Sequence, residues 1–403
     1  MFRYTHPSSA GRGLFSAWLV VLVVGATLAQ EPTQQRPRRV AGSDSSSPQP
    51  NQTPNGEEVD EGDVLRVETR LVSVPTVVTT RNGRPIANLK LENFRVFEDG
   101  KPQTLTNLGT AQAPFEIALV LDTSGSTRAD VALIRQAANS FIDALRPGDR
   151  VAIVAFNTHD AGSNKIAVVD VLSRLTEDRK QLRNAIESLG SSNGTPFYDA
   201  LEQVATEVFE AEPREEVRGR RAIVALTDGV DSTSESDFAT ARSALMTKDL
   251  ACYFVQVNTE DFVEDRILKD CQDDGRLSLS AKQLERYRAI FLKGAGPDYV
   301  AEFCQMGPFE RMQISRDLYN LARREMDALA KTTGGRNFTA ATLRDARAAF
   351  ALVANEIGMQ YSLGYYPSNK ARDGKFRTIR VEVRGTPEQT QVRAREGYYA
   401  PKG

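Results

Sequence analysis

Between Phe115 and Thr127 the chain reads FEIALVLDTSGST, an apolar run from Ile117 to Leu121 that stops at Asp122. A continuous apolar run bounded by turn residues reads as a strand buried on both faces of a parallel sheet. In open α/β sheets, ligands bind beyond the carboxyl ends of the strands. Asp122, Ser124 and Ser126 are therefore expected to emerge together at the rim of a sheet. One carboxylate and two hydroxyls at alternate positions form a hard-oxygen cluster of the kind that suits Mg2+. The plainer reading of the same loop is a polar turn in which Ser126 or Thr127 caps the following helix.

Two later stretches add to this loop. Thr195 lies in GSSNGTPFYDAL, a glycine-rich loop that opens a helix with Pro196 in its first turn. Asp228 lies in RAIVALTDGVDS, again an acid directly after an apolar strand. Asp231, just beyond it, is either a turn residue or a group that orients the site from behind.

Taken together, these three stretches resemble the von Willebrand factor type A domain. Its metal-ion-dependent adhesion site is Asp-x-Ser-x-Ser, then a Thr, then an Asp in a Thr-Asp-Gly turn. The matching positions are Asp122, Ser124, Ser126, Thr195 and Asp228. The resemblance implies an α/β fold, a Rossmann-like domain with a doubly wound, mostly parallel sheet. It implies that Ser124, Ser126 and Thr195 bind a metal directly, while Asp122 and Asp228 act partly through bound water. The expected ion is Mg2+, with Mn2+ or Ca2+ as alternatives. Gly125 and Gly194 are expected to let the two loops approach it closely. Neutral hydroxyl ligands leave the ion's charge largely uncompensated, so a partner protein that supplies a carboxylate is the implied ligand.

The surrounding chain alternates strand and helix patterns, as a parallel sheet with helices on both faces requires. Strands are expected at 116–121, 151–156, 221–227 and 251–257, with a short hairpin at 157–171 and helices near 127–145, 177–189, 196–209, 236–249, 315–332 and 343–357. Residues 259–313 break the alternation as a charged insertion with one helical piece near 281–293, read either as a surface excursion or as a shaper of the binding rim. The phrases NFRVFEDGKPQ before the α/β domain and REGYYAP after it also resemble exported bacterial proteins related to the type A domain. Short strands with turn chemistry on both flanks lack a core of their own, and they are expected to combine into one small β-sandwich. The organisation is thus a signal peptide at 1–29, a disordered linker at 30–62, an N-terminal β unit at 63–112, the α/β domain at 113–359 and C-terminal strands at 360–403 that pack with the N-terminal unit.

The first segment carries Arg3 and Arg12, an apolar core at 14–28 and small residues before Gln30. That is the layout of a secretory signal, with an uncleaved anchor as the alternative. The expected location is the periplasm, the cell surface or the medium. Export permits a disulfide. Of the three cysteines, Cys252 sits in an apolar strand and reads as a buried thiol, leaving Cys271 and Cys304 as the candidate pair.

A net charge of −2 implies no basic face for nucleic acid. With only His6 and His159 available, a histidine-rich centre is excluded. The chain is read as having no Walker loop with its lysine and no Gly-x-Ser-x-Gly elbow. No catalytic residue is assigned. The expected function is a metal-dependent protein-binding module. A Mg2+-dependent hydrolase and a scaffold with a purely structural metal are the alternatives.

Overall fold

The computed structural model describes residues 71–109, 113–125, 127, 131–217, 219–269, 278–293, 299–386 and 389–402. The expected signal peptide and linker, Ser126 and Cys271 lie outside these residues. Among the described residues no helix is long and apolar enough to cross a membrane.

The elements run β1 (Val72–Thr80), β2 (Phe94–Glu98), β3 (Lys101–Gln103), β4 (Leu105–Gly109), β5 (Glu116–Leu121), α1 (Val131–Ala144), β6 (Arg150–Ala161), β7 (Asn164–Thr176), α2 (Arg179–Glu187), α3 (Phe197–Gln203), β8 (Arg221–Thr227), α4 (Phe238–Thr247), β9 (Ala251–Val257), α5 (Glu260–Ile267), α6 (Ala281–Phe291), α7 (Tyr299–Glu302), α8 (Pro308–Thr333), β10 (Arg336–Ala340), α9 (Ala346–Gly358), β11 (Tyr361–Tyr365), β12 (Phe376–Val383), β13 (Thr390–Ala394) and β14 (Gly397–Tyr399).

A six-stranded sheet in the order β10-β9-β8-β5-β6-β7 forms the centre. Its first five strands are mutually parallel, and β7 closes the edge antiparallel to β6. Successive residues of a strand point to opposite faces, so each central strand feeds two cores. Ile117, Leu119 and Leu121 of β5 pack with α1, α2 and α9. Ala118 and Val120 pack on the other face with α3, α4 and α8. Burial on both sides explains why β5, β8 and β9 read as unbroken apolar runs.

The flanking strands form two four-stranded sheets, β13-β1-β11-β4 and β14-β12-β2-β3, each combining strands from both ends of the described chain. Val74, Val78, Phe94, Val96, Leu363, Tyr365 and Ile379 share the core between them. The β2–β3 turn places Asp99 and Gly100 at positive φ, as a two-residue hairpin demands. Of the terminal tyrosines, Tyr361, Tyr365 and Tyr398 are buried in this core, whereas Tyr366 and Tyr399 are exposed. The sandwich lies against the amino ends of the parallel strands. Arg220, just before β8, donates to the carbonyl of Gln360 at 2.5 Å, and Arg395 pairs with Asp249, just before β9.

Several boundaries differ from the sequence reading. The β6 strand runs on past Phe156 to Ala161 and pairs along its length with β7, so the expected hairpin at 157–171 is the outer part of two long strands. Within the expected C-terminal strands at 360–403, the stretch QVRAREGYYAP forms two strands, one in each sheet of the sandwich, with the chain crossing over at Arg395 and Glu396. The insertion holds α5 and α7 as well as α6, and α8 begins at Pro308, inside the expected limit of 313. These helices build a third core from Ile267, Leu279, Leu284, Tyr287, Phe303, Ile314, Leu318 and Tyr319, joined by Val230 just after β8.

Cys252 is a free, fully buried thiol whose burial pushes its pKa up to about 12. Cys304 is disulfide-bonded. Titration with a thiol reagent under non-reducing conditions is therefore expected to detect no reactive thiol in the folded protein and one per chain in denaturant. A second thiol in denaturant contradicts the bonded state of Cys304.

Candidate metal centre

Asp122 follows the last residue of β5, and its backbone N–H donates to the carbonyl of Leu226 at 3.0 Å. That bond carries the β5–β8 ladder one residue past the strand and sets Asp122 beside Thr227. The Thr227 hydroxyl donates to Asp122 Oδ2 at 2.6 Å, and the Ser124 N–H donates to Oδ1 at 2.9 Å. Burial pushes the Asp122 carboxyl up to about 7. The neighbouring Asp228 charge adds to that rise, and the hydrogen bonds from Ser124 and Thr227 oppose it. Thr127 closes the turn by donating its hydroxyl to the carbonyl of Asp122 at 2.9 Å.

Asp228 is the first residue after β8. Its Oδ1 accepts from the N–H of Val230 at 3.0 Å, and its Oδ2 accepts from the Thr259 hydroxyl at 2.6 Å. Gly229 sits at φ +75, where a side chain is strained and would also strike Met326.

Thr195 is buried and held through its backbone. Its N–H donates to Ser232 Oγ at 2.7 Å, and its carbonyl accepts from the N–H of Ser232 at 3.0 Å. The preceding turn is tied to the first loop, because the Ser192 N–H donates to the carbonyl of Thr123 at 2.9 Å. Gly194 is tight, since a Cβ there would lie 2.5 Å from Thr233 Cγ2. A Cβ built on Gly125 would meet no protein atom within 4 Å.

The structure thus brings Asp122, Ser124, Thr195 and Asp228 to one rim, with Ser126 outside the described residues. Asp231 serves the turn: its Oδ2 accepts from the N–H groups of Phe197 and Tyr198 at 2.9 and 3.3 Å and from the Ser234 hydroxyl. It caps the start of α3 and so fixes the Thr195 loop from behind. His159 is exposed and 3.0 Å from Asp170, as a surface residue of the β6–β7 ribbon.

Gly190 to Gly194 reads Gly-Ser-Ser-Asn-Gly, so the chain does carry the Gly-x-Ser-x-Gly spacing that the sequence reading took to be absent. It follows a helix, not a strand, and Ser192 Oγ donates to the carbonyl of Gly194 at 2.6 Å. That geometry suits a loop brace and not an activated nucleophile.

The donor set fits a hard divalent cation. It consists of carboxylate and hydroxyl oxygens, and two carboxylates that repel each other in a buried setting gain from a cation between them. Among the described residues there is no group of three or more His, Cys, Asp or Glu side chains placed to hold a metal. A cavity of about 300 Å³ lined by Ser73, Gly219, Arg221, Lys248 and Asp249 lies at the opposite pole and includes none of these residues.

Thr227, Thr259 and Tyr319 were not singled out in the sequence. Thr227 was visible as the residue before Asp228, and Thr259 follows β9 at the same rim, where the strand-end rule applies to it too. Tyr319 is spaced like any core residue of a helix.

Residues 117–230 match the family of the von Willebrand factor type A domain. Among solved structures, proximal thread matrix protein 1 from the mussel byssus is similar at 10% identity over 62% of this chain and 49% of that one, with a TM-score of 0.38. A von Willebrand factor type A protein from Catenulispora acidiphila matches at 11% identity over 76% of this chain and 72% of that one, with a TM-score of 0.37. BatB from Bacteroides thetaiotaomicron matches at 16% identity over 60% of this chain and 98% of that one, with a TM-score of 0.33. The chain spans about half the length of the two mussel byssus structures, 49% and 50%.

Asp231→Ala is expected to lower stability by about 1–2 kcal/mol, the usual cost of an emptied helix cap, and Asp231→Asn by less. Urea denaturation measures both. Equal losses for the two variants contradict the capping role.

Proposed function

Because residues 117–230 form a von Willebrand factor type A domain, we propose that this chain is an extracytoplasmic protein-binding module that holds a divalent cation and engages an acidic residue of a partner protein. The residues that would hold the cation are Asp122, Ser124, Ser126, Thr195 and Asp228. The observation that supports this most is the pairing of Asp122 with Asp228 at the carboxyl ends of β5 and β8, where burial and mutual repulsion both raise the Asp122 pKa. Mg2+ is the ion the oxygen set favours, with Mn2+ and Ca2+ as the neighbouring choices.

When bound, such an ion supplies a positive Lewis-acidic centre at which a partner's carboxylate completes the coordination. The chain's own residues do the rest. Thr227 and the Ser124 N–H fix the Asp122 carboxylate, and the Val230 N–H and Thr259 fix that of Asp228. Ser232 and Asp231 fix the loop that carries Thr195. Rigid ligands lower the ordering cost of binding. Export is supported by the charged and apolar pattern of residues 1–29.

Calorimetric titration of Mg2+ and Mn2+ into the metal-stripped full chain tests the reading. Saturable one-site uptake is expected in the wild type, with a loss of at least about tenfold in affinity for Asp122→Ala at unchanged circular dichroism. Short glutamate-containing peptides are expected to be retained on the immobilised protein with Mg2+ and released by chelator. A folded wild type that takes up neither ion overturns the proposal. Uptake of the ion without metal-dependent peptide retention points instead to a structural metal.

A further inference from the structure

The segment after β9 reaches back into the rim. Thr259, buried, donates its hydroxyl to Asp228 Oδ2 at 2.6 Å, and Tyr319 Oη of α8 lies 2.8 Å from Thr259 Oγ1. An ionised carboxylate only accepts, so the Thr259 proton goes to Asp228 and the Tyr319 proton goes to Thr259. Thr259 occupies the N-cap position of α5, where a threonine oxygen ordinarily accepts from the first turn. It makes no side-chain cap bond there. Its hydroxyl is turned to the aspartate instead.

The same helix holds the second loop. Glu325 of α8 accepts from Tyr198 Oη at 2.5 Å, and Arg286 of α6 joins both at 2.5 and 2.6 Å. Tyr198 stands in the first turn of α3, three residues after Thr195. At the start of α6, Ser280 donates to the carbonyl of Ser232 at 2.6 Å, and Ser232 is the residue that brackets Thr195.

We propose that Thr259 and Tyr319 are positioning residues for the cation site, orienting the Asp228 carboxylate and coupling it to α8. The inference rests on the reading of Asp228 as part of a cation site. It assigns to the first residue of the insertion, together with α8, a role in setting the affinity of the rim.

Mg2+ affinity is to be measured by calorimetry on the metal-stripped full chain, with the melting temperature of each variant recorded with and without Mg2+. Thr259→Val is expected to weaken binding about tenfold or more, and Thr259→Ser to restore it to within about twofold. Tyr319→Phe, which keeps the packing and removes only the hydroxyl, is expected to weaken it about three- to tenfold. Tyr287→Phe is the control. It loses a hydroxyl bond to Asp317 in the same apolar cluster, away from Asp228, and is expected to bind as the wild type does. Tyr319→Phe and Thr259→Val binding as tightly as the wild type overturns the proposal. So does an equal loss in Tyr287→Phe. A wild type that binds no cation overturns the metal reading itself, an outcome distinct from both.

Discussion

The pairing of β5 with β8 is the constraint on which the rim depends. Their parallel register sets Leu121 against Leu226, and one further backbone bond, from Asp122 to Leu226, places both strand-end acids together. A slip of one residue would turn the alternating side chains of β5 toward the wrong core. The register is fixed at the other end as well. Buried Glu116, the first residue of β5, stands opposite Arg150 and Arg221 in the ladders and pairs with them at 3.1 and 2.8 Å. Removing one partner of a buried ion pair leaves an uncompensated charge, which makes this base costly to disturb.

The molecule is polar in organisation. The carboxyl ends of the parallel strands carry Asp122, Asp228 and Thr259, while the amino ends carry the Glu116 cluster and the β-sandwich. The insertion after β9 falls at the first pole because β9 ends there, and its helices share a core with Val230.

Much of this was legible in the chain. The strands β5, β8 and β9 could be bounded because they are buried on both faces and their apolar runs are unbroken. Asp122 and Asp228 stood out because a charged residue ended each run. That the outer half of β6 continues the strand at 151–156 was not legible, since NTHDA is polar and pairs beyond the core, where backbone bonds and not burial hold it. The start of α8 was hidden for a related reason: PFERMQ is mostly exposed and shows no apolar stripe. Thr259 and Tyr319 were missed because their role depends on contact across 60 positions of sequence, which no local pattern records.

The interleaving of the sandwich bears on how the protein is made. β1 lies between β11 and β13, and the hydroxyls of Ser73 and Ser362 meet across 289 positions of sequence. On a growing chain, β1 and β4 have no neighbours in their sheet until β11 has been added. Until then their edges are open to pairing with other chains. Contacts of such separation form slowly. The α/β domain, whose β5, β6, β8 and β9 follow one another closely, is expected to fold first and to bring the two halves of the sandwich to its base. Closure of the sandwich then becomes the last step, and a chain cut short before Tyr361 leaves β1 and β4 without partners in their sheet and β2 paired only with β3.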